Sequence, residues 1–167
     1  VSETDSSGSI QLESGASQAG ASGHAQLQTG ASSTESGSLT IRTGQGSNSQ
    51  GGAISITAGD GSTSGGAVNI EGGHAQAGNG GEVQLQSGAS DSGSSGRITM
   101  SSASSSILSG GVELSTGNSV ESSGNIIMTS GSAERGIAGA VVLKTGESSS
   151  GPGADIAITA GGSTLST

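Results

Sequence analysis

The side chains of this chain that could do chemistry are few: His24 and His74, the acidic triplet Gly59-Asp60-Gly61, and a large stock of hydroxyls. Two imidazoles on one face would bind a metal or relay a proton. A serine nucleophile would need a strained Gly-x-Ser-x-Gly turn, and no such pentapeptide occurs. No Gly-x-Gly pair extends to Gly-x-Gly-x-x-Gly, and no glycine-rich loop carries a Walker lysine. With no cysteine there is no disulfide framework, thiolate metal site or thiol nucleophile. With no Phe, Trp or Tyr there is no base-stacking platform and no aromatic cage. Four Lys/Arg against thirteen Asp/Glu give a net charge of −9, the wrong sign for nucleic acid or an anionic membrane. The sequence therefore predicts no enzyme, no cofactor and no metal.

What positions these side chains is an unusual chain. Gly, Ser, Thr and Ala supply 104 of 167 residues, and only 29 are Val, Ile, Leu or Met. That apolar stock is too small for a conventional core to offset the entropy of ordering the backbone. The chain is then either disordered, as Gly/Ser-rich composition suggests, or built on a regular architecture that depends on repeated backbone pairing. No run of 18 apolar residues exists to span a membrane, and the opening Val1-Ser-Glu-Thr-Asp5 is too polar for a signal peptide.

An internal repeat favours order. The unit reads Gly, any residue, apolar, any residue, apolar, any residue, Ser/Thr/Ala, Gly, as in Gly8–Gly15, Gly52–Gly59 and Gly139–Gly146. Its first apolar position is Ile10, Ala25, Leu39, Ile54, Val68, Val83, Ile98, Val112, Ile126, Val141 and Ile156, always 14 or 15 residues apart. Its second is Leu12, Leu27, Ile41, Ile56, Ile70, Leu85, Met100, Leu114, Met128, Leu143 and Ile158. The closing glycine fails once, at Ala103.

Period-two alternation predicts a short half-buried strand in every unit, with glycines where the chain bends. Each unit has two aliphatics to bury and only its neighbours to bury them against, which is the logic of a solenoid. Small residues recur three before the first apolar position (Ser7, Ser22, Ser36, Gly51, Gly65, Gly153) and seven after it (Ser17, Ser32, Gly46, Gly61, Ala75, Ser90, Ser105, Ser119, Ala133, Ser148, Ser163). Large residues on one wall facing tiny ones on the other predict a thin coil. The expected fold is all-β: a narrow parallel β-solenoid (β-roll or β-helix) of about eleven coils over residues 1–167, roughly 50 Å long at about 4.8 Å per coil.

In repeat length and composition the chain resembles Gly/Ser-rich short-coil β-solenoid proteins, both the small ice-binding β-rolls and the filament proteins of microbial surfaces. The resemblance covers nearly the whole chain and implies fold and setting; it transfers no functional residue. The calcium-binding nonapeptide of RTX β-rolls is absent, since Gly59-Asp60-Gly61 is a single acidic step where a ladder of aspartates is needed.

On such a coil His24 and His74 fall at different positions of the unit, so they face apart and read as solvated surface groups. Asp60 and His74 share a position in adjacent coils and would form a local structural pair. Outward residues such as Gln11 and Gln26 would stack as hydrogen-bonded ladders, and Glu82 with Arg97 and Glu121 with Arg135 would pair and hold register. Ile127, Val142 and Ala157 form an apolar outward stripe, and Ile107 and Leu108 lie in a connection where other units carry Ser or Gly. Those five are the candidate lateral interface, against the simpler reading that loop aliphatics, with Val120 and Ile137, fold over their own coil. Ser32, Ser33, Thr34, Ser62, Thr63, Ser148, Ser149 and Ser150 are candidate O-glycan sites, or simply small loop residues; no Asn-x-Ser/Thr sequon exists.

Neither end carries a cap, from Val1 to the tail Gly161-Gly-Ser-Thr-Leu-Ser-Thr167. Bare parallel edges recruit strands, so the array is expected to be a segment of a longer repeat protein or a subunit that stacks head to tail. The expected function is a non-catalytic extracellular or cell-surface fibre, filament or stalk, with itself as partner, end to end or rod beside rod, and glycans on its connections. Two other readings are an ice-binding solenoid, which strand-face charges such as Glu13, Arg42, Glu71, Glu113 and Lys144 disfavour, and an adhesin or viral-fibre stalk.

Overall fold

A computed structural model of the chain describes residues 7–47 and 49–162. The chain divides into two units, Val1–Gln84 and Leu85–Thr167. Within each, extended segments alternate with tight bends at the phase of the sequence repeat. In the first unit the chain bends at 18–20, 33–34, 47 and 49, 62–63 and 76–78. In the second it bends at 91–93, 106–107, 120–121, 134–136 and 149–151. Each bend lies midway between the closing position of one unit and the opening position of the next, both glycine except at Ala103 and Ala154.

The β-solenoid is overturned. The described residues contain no helix and no strand, so no sheet closes around a core, and none of them is buried. At four of the ten connections the reason lies in how the connection closes. The N–H of Gly66 donates to the carbonyl of Gly59 at 2.9 Å, and Gly52 to Gly44 (3.1 Å), Gly81 to Gly73 (2.8 Å) and Gly96 to Gly88 (2.9 Å) repeat the bond. A connection whose ends are bonded to each other returns the chain to the place it left. It does not raise the chain by one strand spacing onto the preceding segment, as a solenoid turn must. At those four connections the flanking segments are not stacked, and among the described residues no ladder joins any of the other segments.

From Leu39 onward the two aliphatic positions of each unit still differ in a regular way. The first is the more covered, as at Val83 (50% exposed), and the second projects further, as at Leu85 (71%), whereas Ile10 and Leu12 in the first unit are both open. The same grading holds for Ile54 and Ile56, Val68 and Ile70, and Ile98 and Met100. A lone unit of two aliphatics and small residues has nothing else with which to cover them.

The expected satellite cluster does not form either. Ile107 is 95% exposed, and Leu108, Val120 and Ile137 stand equally free. Ile127, Val142 and Ala157 are exposed, but no strand pairing brings them side by side into a stripe, and their exposure does not set them apart from the other aliphatics. Of the two ion pairs expected to hold register, Glu121 with Arg135 belongs to a single unit and is not made. The one ion pair among the described residues is Lys144–Glu147, at 3.8 Å and fully accessible to water. Ser163 and the expectations about bare ends at 1–6 and 163–167 lie outside the described residues.

Candidate functional site

The most highly organised local structure is the corner, and it comes in two kinds that follow from length. Where successive units are 15 residues apart, the connection carries one residue more than where they are 14 apart. The longer corners bend over three residues and the shorter over two, as at 91–93 against 106–107.

In the longer corners a serine seven residues after the first apolar position accepts a hydrogen bond from the amide three residues on. Gly20 donates to Ser17 Oγ (3.0 Å), Gly93 to Ser90 Oγ (2.9 Å) and Gly151 to Ser148 Oγ (3.0 Å). In the shorter corners the serine at the same position takes the amide only two residues on. Thr34 donates to Ser32 Oγ (3.2 Å), Ile107 to Ser105 Oγ (3.3 Å) and Glu121 to Ser119 Oγ (3.3 Å). Both are the local side-chain-to-backbone bonds by which serine competes with regular structure and favours turns.

Two longer corners have alanine in place of that serine, Ala75 and Ala133, and each turns by another means. Gly78 and Gly136, three residues on, adopt positive φ of 94° and 99°. A side chain there would be strained, so glycine supplies in backbone freedom what the hydroxyl supplies elsewhere.

At the base of the corners the last small residue of one segment lies against the first glycine of the next. A methyl group built on Gly66 would come within 3.3 Å of Ala58 Cβ, and one on Gly96 within 3.3 Å of Ser87 Cβ. Thr29, Ala58 and Ser87, which lie in such places, are partly buried, as are Ala75 and Thr145, while the other described residues are open to water. Thr43 adds a bond of its own, its Oγ1 donating to the Gly52 carbonyl at 3.0 Å.

The residues singled out for chemistry are not brought together. His24, Asp60 and His74 are exposed, and neither an ion pair nor a hydrogen bond joins Asp60 to His74. Among the described residues no three of His, Asp and Glu converge as a metal site would require, and there is no enclosed cavity. On the extended segments, Gln11 bonds to Glu13 and Gln26 to Gln28 (2.5 Å), so neighbouring outward side chains pair along one segment and not between segments.

The eight candidate O-glycan residues are all exposed, but they are not equivalent. Ser32 and Ser148 use Oγ as corner acceptors, and Ser32 Oγ also lies 3.3 Å from Thr34 Oγ1. Ser33, Ser62, Thr63, Ser149 and Ser150 are exposed and make no such bond among the described residues. The serine corners escaped the reading of the sequence, although their signal is present there: a Ser-x-x-Gly starting seven residues after the first apolar position occurs in three of the six longer corners and in none of the shorter.

The chain matches no family model, and no curated protein or solved structure is similar to it.

Proposed function

We propose that this chain is a non-catalytic structural element of an extracellular or cell-surface filament, complete only when several copies associate. One observation carries this reading: eleven in-phase extended segments, each with exposed aliphatics, are separated by corners of two lengths at a regular phase and form no ladder among the described residues. Contiguous apolar surface and unpaired strand-like edges recruit other chains. The regularity of the corners is a repeating device, and nothing in it converges on a substrate. Glycans on the free hydroxyls of the corners would keep such filaments apart and hydrated.

Electron microscopy of the native material, with intact-mass analysis beside it, tests the reading. It expects continuous filaments and a mass above that of the polypeptide. Discrete unmodified particles with thermal hysteresis activity would replace it with ice binding.

A further inference from the structure

We infer that the missing backbone partner of each extended segment is the same segment of a second copy of this chain, stacked parallel and in register. This rests on the filament reading and names its contact. Nine of the ten corners are closed on themselves or bent by their own side chains and the tenth turns at Gly136, which leaves the extended segments between them, among the described residues, with unpaired N–H and C=O groups on both edges. Among the described residues the backbone-to-backbone bonds are the four that close corners, so nothing inside the chain competes for those edges. Stacked identical segments satisfy every such group at a repeat of about 4.8 Å and set like side chains over like.

The order of corner lengths specifies the register. Along the chain the spacings run 15, 14, 15, 14, 15, 15, 14, 14, 15, 15. A copy displaced by one repeat would face long corners with short ones at six of nine places, and one displaced by two repeats at five of eight. Each mismatch sets a three-residue bend over a two-residue bend and moves the following segment off its partner. Only zero displacement matches them all. In that register Gln11, Gln26, Gln28, Gln84 and Gln86 meet themselves, as amide ladders require. The acidic residues also meet themselves, an opposing term that salt would screen.

The two methionines provide the measurement. Met100 and Met128 both occupy the second aliphatic position, in segments two repeats apart. In solid-state NMR of assemblies grown from the full chain with carbonyl-13C methionine, zero displacement places every label about 4.8 Å from two others. Fibre diffraction from the same sample should show that spacing along the axis. Labels more than about 8 Å apart, or no such spacing, would overturn the inference, whether the chain's true partner were a different protein or none.

A variant tests the length code itself. One extra serine after Ser62 turns a short corner into a long one. Such chains should elongate their own seeds and elongate unaltered seeds at least about ten-fold more slowly. Equal growth on both seeds would remove the code. Native filaments lacking the spacing would leave the filament reading in place and dismiss the stack. In-register stacks of purified chain, with no filament in native material, would do the reverse.

Discussion

The amide of Gly93 donates to Ser90 Oγ at 2.9 Å, and at the equivalent place in another corner Gly78, with Ala75 in the serine's position, turns to a φ of 94° instead. The two corners are of one length and reach the same change of direction by different physical means. One uses a hydroxyl to hold an amide; the other uses a backbone conformation that residues with a Cβ avoid.

Ser90→Ala should therefore convert the first kind of corner into the second. The lost bond costs about 1 kcal/mol, and Gly93 is free to recover part of it by moving to positive φ. Backbone couplings and chemical shifts of Gly93 should shift toward those of Gly78. The double change Ser90→Ala, Gly93→Ala removes both solutions and should open the corner by more than the two single changes together.

Gly78→Ala should weaken its corner by about 1–2 kcal/mol, because a Cβ makes the left-handed conformation costly. The amide of Gly81, which closes that corner on Gly73 at 2.8 Å, is the reporter. Its hydrogen exchange should accelerate by about ten-fold or more, while the amide of Gly96 in the next corner stays unchanged.

Assembly should be faster in salt. A net charge of −9 repels like chains, and stacking in register brings identical carboxylates together. Raising sodium chloride from about 0.01 M to about 0.5 M shortens the screening length several-fold, and the lag before growth should fall with it. Light scattering or sedimentation of the full chain reads the effect; a lag that lengthens with salt would show that attractive ion pairs dominate.

Glycan mapping of native protein should find sugars on Ser33, Ser62, Thr63, Ser149 and Ser150 in preference to Ser32 and Ser148. Those two hydroxyl oxygens already hold corner amides. Peptide mass spectrometry gives the occupancy, and equal modification at all eight positions, Thr34 included, would show that corner bonding does not select sites.

The repeat was legible in the sequence because glycine and small residues punctuate it at fixed distances from Ile54, Val68, Val83 and their equivalents, and the bends fall at that phase. Its closure was not legible. Alternation of aliphatics says that a segment is extended with one face to cover; it does not say whether the cover comes from the next segment or from another molecule. The bond from Gly66 to Gly59 is part of that closure, and it joins backbone atoms, so the residue types mark where the corner lies and not how it closes. For the same reason Ile127, Val142 and Ala157 looked like a stripe: equal spacing makes neighbours only where segments are laddered. The serine corners were hidden by abundance, since one serine among 38 draws no notice until its amide partner is known.

The long and short corners have a consequence for lineage. If copies stack in register, a point substitution leaves a corner's length unchanged, whereas a single-residue insertion converts a two-residue bend into a three-residue one. Chains that differ by one such insertion would then sort from each other in one mixture, like keys cut from one blank. Divergence by indel would then separate populations of filaments before any side chain on their surfaces had changed.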